Sequence, residues 1–438
     1  MNRKIKLMLT AAGVCALMAG SLQAQDEFFR NGLQFGVGAR AIAMGGAYGA
    51  VGDDYTASFW NPAALAQIRR FEFTGGLSRL SRENTAGFLD SSTVVDLNST
   101  KLNELGFAYP VPTYRGSLVF SFGFNRVKTF GSNFALSDVY NSLPDDSVSQ
   151  SWKEREDGGL NNWTIAGAID LSPNFSAGIG MNFWSGNNDY QFTFVENDID
   201  SIYTFNDFRR DDKINSEING FNVTFGGLYR VNKALRLSAT IATPTTLTIT
   251  EKWETREKTT FDAEPDETYS PDEIYSDEGT TEYKIRSPFT FTAGAALNLA
   301  GLVTVSGQIE HNDWSQLSYR SDPPIADISQ DEANDLIEER YQETQRIRLG
   351  AELTLPGTAT QVRAGYFLDP SPYKNNTEGD REYYSFGLGL LLDKQVKLDL
   401  AYVYGSWTEN NAGLNDFVTS LNEDISVSKI FASVSVRF

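Results

Sequence analysis

The chain contains one cysteine, one histidine and a deficit of basic side chains. Its 438 residues include 37 Lys and Arg against 57 Asp and Glu, which gives a net charge of −20. Nucleic-acid binding depends on basic patches that displace counterions from phosphates, so we expect no nucleic-acid partner. Beyond the N-terminus, no apolar run reaches the ~20 residues that a membrane-spanning helix needs. The sequence therefore excludes a transporter built from membrane helices.

The scarcity of histidine and cysteine also limits catalysis and metal binding. His311, the sole histidine, stands beside Glu310 and Asp313, but no Gly-x-Ser-x-Gly nucleophile elbow accompanies it. A single histidine cannot build a His-rich metal centre. The acidic segment 262–267 lacks the regular ligand spacing of a calcium loop and is typical of a solvated acidic surface. We therefore expect no enzymatic activity, no cofactor and no metal site.

Residues 1–24 have the features of a secretory signal peptide. Arg3, Lys4 and Lys6 form its positive region, 7–19 is its apolar stretch, and Ala24 precedes the expected cleavage site. Cys15, the only cysteine, lies within this peptide. A mature chain that begins at Gln25 would have no cysteine, which excludes disulfides and thiol chemistry for it.

Most of the remaining chain alternates strictly between apolar and polar residues. Phe120, Phe122 and Phe124 share one face of a strand, while Ser121 and Gly123 share the other. This period of two predicts β-strands with one apolar and one polar face. The polar face carries small or hydrophilic residues, which suits a wet lumen better than a packed core. Strands of roughly ten residues with the apolar face outward are typical of outer-membrane β-barrels.

The connections between these strands are alternately short and long. The seven long ones are predicted as loops near 81–101, 128–160, 196–216, 252–287, 317–344, 369–381 and 408–426. With six short turns they join fourteen strands, so all long loops lie at one end, as in bacterial barrels. The sequence predicts an all-β fold, a transmembrane antiparallel β-barrel of about 14 strands. Its last strand ends at Phe438, the kind of terminal strand that the barrel-assembly machinery recognises.

The segment before the first strand does not alternate. It is rich in small residues, which suits a compact plug inside a barrel, and we predict a hatch over 25–66 and the barrel over 67–438. The Gly36 region fits a dinucleotide-binding fingerprint superficially, but no preceding strand or βαβ unit accompanies it.

Several motifs in this segment and near the C-terminus resemble the FadL/TodX family of outer-membrane transporters for hydrophobic compounds. They are Gly38-Ala39-Arg40-Ala41, Met44-Gly45-Gly46-Ala47, Asp53-Asp54, Asn61-Pro62-Ala63, Ala242-Thr243-Pro244-Thr245, Arg363-Ala364-Gly365-Tyr366, Asp369-Pro370-Ser371-Pro372 and Leu398-Asp399-Leu400-Ala401-Tyr402. The N-terminal motif also resembles that of related barrels, including type IX secretion shuttle components.

The resemblance implies a fourteen-stranded barrel in the outer membrane of a Gram-negative bacterium, closed by a hatch whose motif is Asn61, Pro62 and Ala63. It implies passive uptake of a hydrophobic compound, a long-chain fatty acid or an aromatic hydrocarbon. The ligand would be captured at the outer loops, held in an inner pocket and released sideways at a kinked strand. The expected partners are this ligand, outer-membrane lipid and lipopolysaccharide, and the barrel-assembly machinery. A secretion or surface-assembly role and a general porin are the alternatives.

Two groups of residues are candidates for ligand binding. Phe130, Phe134 and Leu136 are apolar residues of a long loop that could capture a ligand or could pack the loop onto the barrel rim. Arg346, Arg348 and Arg363 face the lumen by parity, where they could bind a carboxylate or form a salt-bridge ladder with residues such as Glu352. Five tryptophans near strand ends are predicted to lie in the interfacial girdle: Trp163, Trp184, Trp253, Trp314 and Trp407.

Overall fold

The computed structural model describes residues 32–88, 91–140, 148–201, 205–261, 272–325, 328–374, 379–411 and 421–438. Within these ranges the chain forms one antiparallel sheet that closes on itself, because the first segment pairs with the last. Its segments are β1 (Glu72–Phe88), β2 (Ser91–Val111), β3 (Leu118–Thr129), β4 (Ser132–Tyr140), β5 (Val148–Ser172), β6 (Phe175–Asp198), β7 (Phe205–Arg230), β8 (Leu235–Ala242), β9 (Thr246–Phe261), β10 (Asp272–Arg286), β11 (Thr290–Leu299), β12 (Val303–Asp313), β13 (Ser318–Tyr319), β14 (Glu343–Thr354), β15 (Thr360–Asp369), β16 (Arg381–Leu391), β17 (Val396–Asn411) and β18 (Leu421–Arg437).

The eighteen segments make a barrel of fourteen strands. Four strands are each interrupted once, which divides them into β3 and β4, β8 and β9, β10 and β11, and β12 and β13. Pro244 and Pro288 lie in two of these interruptions, where a residue without an N–H cannot continue the ladder. The predicted fold class and strand number are confirmed.

The outer surface of the barrel is apolar in the middle. On β3, Phe120 and Phe122 are 52 % and 41 % exposed, whereas Ser121 between them is 3 % exposed. Large apolar side chains face outward in the same way on strands all around the wall, as on β6, β11 and β18. Such a band in place of a hydrated surface matches the hydrocarbon layer of a bilayer.

Five of the seven predicted long loops are mostly strand in their described residues, whereas 317–344 and 369–381 are mostly not. The first, 81–101, belongs to β1 and β2 except for residues 89–90, and β5 to β7 run for 25, 24 and 26 residues. Above the membrane both faces of a strand meet water, so the apolar residues that marked the alternation disappear while the backbone ladder continues. We call the end of the barrel that carries these extended strands the loop end. The opposite end, which carries the short connections, is the turn end.

Residues 32–68 lie inside the barrel, and residues 32–70 contribute no strand to its wall. They include helix α1 (Ala39–Ala43), helix α2 (Ala57–Trp60) and a 3-10 helix (Pro62–Gln67), and nearly all of their side chains up to Ile68 are buried. At the loop end, helix α3 (Gln330–Arg340) begins with a capping box formed by Ser329 and Glu332. No helix in the described ranges is long and apolar enough to cross a membrane. The predicted leader, its cleavage site and residues 25–31 lie outside the described residues.

Candidate functional site

Asn61, Pro62 and Ala63 hold the internal segment, which we call the hatch, against the wall. The Asn61 Oδ1 accepts a hydrogen bond from the Ala63 N–H at 3.0 Å and so caps the 3-10 helix, in which Pro62 takes the first position. The Asn61 Nδ2 donates to the Gly49 carbonyl at 2.9 Å and to the Gly227 carbonyl of β7 at 3.2 Å. Asn61 therefore joins two parts of the hatch to each other and to the barrel.

The wall receives the hatch at glycines that face the lumen. A Cβ on Gly178 would lie 2.3 Å from the Ala63 nitrogen, and one on Gly365 would lie 2.0 Å from the Gly45 nitrogen. Only glycine permits this approach of two backbones. The lumen-facing glycines that the alternation associated with a wet channel thus accommodate the hatch.

A buried ion pair joins the hatch to strand β14 of the wall. Arg40 of α1 donates from Nε and Nη2 to both carboxylate oxygens of Glu352, at 2.8 and 2.9 Å. Its Nη1 donates to Asp53 and to the Tyr48 hydroxyl. A bidentate arginine–carboxylate pair fixes orientation as well as distance, so it holds α1 in one position.

The same contacts affect the ionisation of the hatch residues. Burial alone would raise the pKa of the Asp53 carboxyl, but the positive charges of Arg40, Lys397 and Arg437 together outweigh it and lower this pKa below its ordinary value. Burial opposes the charge of Arg40 as well, yet Asp53 and Glu352 raise the pKa of Arg40. Burial raises the pKa of the Tyr48 hydroxyl, which stays protonated and donates to Asp54 at 2.5 Å. Arg40 and Asp53 are therefore ionised around neutral pH, whereas Tyr48 is neutral.

Two of the arginines that were predicted to bind a ligand each form ion pairs with two carboxylates. Arg346 bonds Glu310 at 2.7 Å and Asp369 at 2.6 Å. Arg363 bonds Glu352 and Asp399, each at 2.7 Å. Both guanidinium groups already have full anionic partners, so neither presents a free charge to a ligand.

Arg348, the third, has no carboxylate partner among the described residues. Its Cζ lies 5.2 Å from the ring centroid of Trp60 in the hatch and 5.0 Å from that of Phe367 in the wall. Its Nη1 donates to the Gly45 carbonyl at 3.2 Å. Two cation–π contacts and one hydrogen bond let this side chain connect the hatch to β15.

An apolar region covers part of the lumen above the hatch. We call it the lumenal belt; its wall residues, all buried, are Leu80, Phe367, Tyr383, Val403, Trp407, Ile425, Val427 and Phe431. Phe35 of the hatch packs edge-on against Tyr383 with ring centroids 5.2 Å apart and meets Phe367 and Phe431 in the same way. Phe35 therefore fills the belt.

Lys429 of β18 lies within the belt and was missed by the sequence analysis. It is 5 % exposed, and its Nζ lies 4.8 Å from the Phe431 ring centroid and 5.3 Å from that of Phe35. It makes no ion pair or hydrogen bond with any residue in the described ranges. The sequence does contain a sign of this site. Ile430 and Phe431 are consecutive apolar residues, which interrupts the alternation and places one of them on the lumen face with Lys429.

The wall has a seam beside β2. The ladder between β2 and β3 ends at Glu104 and Asn125, and from there toward the loop end no described backbone pair joins β2 to β3 or β4. Side chains bridge the seam instead, since Asn133 Nδ2 donates to the Asp96 carbonyl at 3.1 Å. Thr129 of β3 pairs with Leu33 of the hatch. The interruption between β3 and β4 therefore lies next to the part of β2 that has no described backbone hydrogen bonds to β3 or β4.

The predicted capture residues pack around this interruption. Phe130 and Leu136 are buried at 1 % and 4 % exposure, and Phe134 is partly buried beside Leu136. None of the three is a freely exposed loop residue. The girdle prediction is wrong for Trp407, which faces the lumen and packs on Tyr383 with centroids 6.1 Å apart. It is also wrong for Trp184, which faces the lumen and donates from Nε1 to the Asn222 Oδ1 at 3.0 Å. His311 lies beside Phe291, with ring centroids 6.5 Å apart.

A cavity of about 30 Å³ lies between the hatch and the loop end, lined by Gly32, Gln34, Arg346 and Asp369 among others. This is about the volume of one water molecule and is too small for a hydrocarbon ligand. Within the described ranges, no group of three His, Cys, Asp or Glu side chains could hold a metal ion. The acidic segment 262–267 lies outside them.

Solved structures share this fold. The toluene transporter TodX of Pseudomonas putida has a TM-score of 0.65 and 14 % identity, with 93 % of this chain and 99 % of that chain covered. A FadL homologue of Pseudomonas aeruginosa has a TM-score of 0.64 and 12 % identity, with 93 % and 100 % covered. The monoaromatic hydrocarbon channel CymD has a TM-score of 0.56 and 13 % identity, with 92 % and 98 % covered. These similarities show the fold of the chain.

The sequence itself gives a more specific assignment. No curated protein matches the chain. A family model does match, over residues 5–414, which span the hatch and nearly all of the barrel. The chain belongs to the BamG family.

Proposed function

We propose that this protein is an outer-membrane channel for the passive uptake of hydrophobic compounds that carry a carboxylate. The observation that supports this most directly is Lys429, a buried amino group without an acidic partner in the described ranges, set among aromatic rings. Protonation of a buried amino group without a counterion is costly, and an anionic ligand would offset that cost. The surrounding belt would hold the apolar part of the same ligand.

In this proposal a ligand replaces Phe35 in the lumenal belt. Phe35 belongs to the hatch, whereas the residues around it belong to the wall. A shift of the segment before α1 would vacate the belt without breaking the Arg40–Glu352 pair. The tail of a long-chain acid could then contact the rings that Phe35 contacts now, with its carboxylate at Lys429.

The seam beside β2 is the proposed exit. It begins near Leu102, which is 45 % exposed on the outer face, and Asn103 next to it forms a bulge in the pairing with β1. Parting the seam would cost side-chain hydrogen bonds but no described rung of the β2–β3 ladder. Lateral release would let an apolar ligand enter the bilayer without crossing water.

Binding of two probes to purified protein in mild detergent tests the ligand class. Wild-type protein should bind oleate, and Lys429→Met should weaken oleate binding about tenfold or more, since a charge-assisted contact is lost. Binding of toluene, which has no carboxylate, should not weaken. Lys394→Met, in an exposed turn, is the matched control. Equal oleate binding by wild type and Lys429→Met would refute the role of Lys429.

The exit is tested separately in vesicles. A mature chain that begins at Gln25 has no cysteine, so Cys residues placed at Asn103 and Arg126, the first positions beyond the last rung of the β2–β3 ladder, can be joined by a short bifunctional reagent across the seam. Joining them should stop uptake while leaving oleate binding intact. Undiminished uptake by the cross-linked protein would place the exit elsewhere.

A second candidate is a role in outer-membrane barrel assembly or a related secretion system. Membership of the BamG family favours it, and so does a lumen closed by the hatch, with a neighbouring cavity of only about 30 Å³. Under this alternative the protein acts through its surface, and depletion in its host should reduce the amounts of other outer-membrane barrels. The Lys429→Met variant should then restore those amounts fully, whereas the transport proposal expects it to lose uptake.

The domain limits are part of the proposal: a leader over 1–24, a hatch over 25–66 and a barrel over 67–438. Removal of 25–66 should leave a folded barrel, because every described ladder lies outside this segment. The truncated protein should conduct ions through the lumen, measured in planar bilayers. A truncated chain that inserts and still shows the conductance of the intact protein would contradict the hatch assignment.

A further inference from the structure

Strand β10 has an open edge above the membrane. On one side it pairs with β9 over its whole length, from Asp272 to Arg286. On the other side only Ile285 and Arg286 are paired, with β13. On the side away from β9, residues 272–284 therefore form an edge of the sheet at the loop end, with no strand beside them in the described ranges.

The contacts of Lys284 show which backbone groups face this edge. Its N–H donates to the Ser321 Oγ at 2.9 Å, and its carbonyl accepts from the Arg320 N–H at 2.7 Å, both away from β9. In an antiparallel strand the N–H and C=O of one residue point to the same side, and alternate residues point alike. The pairing with β9 has no register shift, so Ile274, Ser276, Thr280 and Glu282 present both groups to the open edge.

Glu278 belongs to the same series of outward-facing residues, but its N–H already has a hydrogen-bond acceptor. The N–H of Glu278 donates to the Asp277 carboxylate at 3.0 Å. The other outward groups have no protein partner in the described ranges. Beside them Ile274 and Tyr275 are 57 % and 55 % exposed. A row of free donors and acceptors flanked by exposed apolar side chains is a template for another strand.

The charge of the edge determines what it can accept. Residues 272–284 contain five acidic side chains and one lysine. Like charges placed opposite each other destabilise a strand pair, so a second copy of this edge is disfavoured, whereas basic side chains would be attracted. We propose that β10 binds an extended, lysine- or arginine-rich segment of a partner protein by β-strand addition at the cell surface.

Hydrogen exchange of the full-length protein in lipid nanodiscs tests this directly. The probe is a ten-residue peptide that alternates lysine and threonine. Its binding should slow the exchange of the amides of Ile274, Ser276, Thr280 and Glu282 and leave β5 and β6 unaffected. A peptide of equal charge with prolines in place of two threonines is the control, because proline cannot continue a ladder, and it should give no protection.

Substitution of the edge gives a second measurement. Ser276→Pro removes an outward N–H but no bond to β9, and it should weaken peptide binding about fivefold, the effect of one net hydrogen bond. Ser276→Thr keeps the N–H and should bind like wild type. Should Ser276→Pro fail to fold, the pair Glu278→Gln and Glu282→Gln should lower the affinity and its dependence on salt.

Two results would overturn the proposal. Amides of the edge that are already protected without peptide would show that another segment covers them. Equal binding of the alternating and the proline-containing peptide would show attraction by charge alone, without strand pairing.

Discussion

Arg40 and Glu352, 312 positions apart in the chain, form a bidentate ion pair that is almost completely removed from solvent, with 9 % and 7 % of their side chains exposed. Arg40 belongs to the hatch and Glu352 to the wall, so this pair connects the two parts directly. Arg363 donates to the same carboxylate at 2.7 Å, and Asp399 and Lys397 extend the contacts along the turn end. The position of the hatch thus depends on charges that the barrel holds in place.

Removal of Arg40 should loosen the hatch without unfolding the barrel. In Arg40→Met the hatch loses its ion pairs with the wall, and loss of one partner of a buried pair costs about 3–5 kcal/mol. The barrel keeps its ladders, and Glu352 keeps Arg363. Hydrogen exchange over 32–70 should become faster, while the heat-resistant migration of the folded barrel in electrophoresis should not change.

The control for this prediction is Arg69→Met, because Arg69 lies just beyond the hatch and is exposed. It should leave exchange over 32–70 at the wild-type level. Equal exchange in wild type and Arg40→Met would show that the ion pair does not hold the hatch.

The close approach of Ala63 to β6 gives a sharper comparison. Gly178 and Gly180 lie two positions apart and face the lumen alike, but a Cβ on Gly178 would lie 2.3 Å from the Ala63 nitrogen, whereas one on Gly180 would lie 3.6 Å from the Ser58 carbonyl oxygen. Gly178→Ala should therefore displace the 3-10 helix and raise the ion conductance in planar bilayers. Gly180→Ala should conduct like wild type, and similar conductance of the two variants would be evidence against a docked 3-10 helix.

The hatch should also respond to acid through Asp53. Its pKa is lowered in the folded protein, because the opposing effect of burial is outweighed by Arg40 together with Lys397 and Arg437. The stabilisation by this pair is therefore complete above the ordinary aspartate pKa of ~3.9 and is lost as the pH falls through the lower folded value. Conductance should stay constant from pH 7 to about 5 and rise only below about 4.

Asp53→Asn provides the comparison, since it cannot ionise and lacks the pair at every pH. The rise in conductance due to this residue should be absent from the variant, which should start from a higher value at pH 7. A wild-type rise centred well above pH 5 would assign the response to another group.

The wall of this barrel was predictable from the sequence where it touches lipid. Phe120 and Phe122 alternate with Ser121 because one face meets hydrocarbon and the other does not, so the pattern identifies both the strand and its orientation. Above the membrane the pattern loses its physical cause. Strand β7 continues from Phe221 up to Phe205 with polar residues on both faces, and only the backbone ladder marks it as a strand.

The contacts inside the lumen could not be predicted in the same way. A small residue such as Gly178 on the polar face of a strand suits a wet channel, but the sequence carries no information on which wall glycine meets Ala63. Trp407 has the position of a girdle residue near a strand end, and its parity alone could have placed it in the lumen. Lys429 could not be predicted as a site residue, because a lysine on the polar face of a strand is ordinary and the sequence does not show that its neighbours are aromatic.

Phe35 provides the last test, because its ring occupies the belt that is proposed to hold a ligand. Phe35→Ala should leave an apolar cavity lined by Phe367, Tyr383 and Phe431, at a cost of about 3–5 kcal/mol to the packing of the hatch. Dry cavities of this kind bind small aromatic molecules, so toluene should bind the variant more tightly than wild type and should slow hydrogen exchange over 32–38. Phe59→Ala, a hatch phenylalanine that packs on Trp60 outside the belt, should show no such gain. Equal toluene binding by the two variants would mean that the belt closes when Phe35 is removed, and that it is part of a rigid core and not a ligand site.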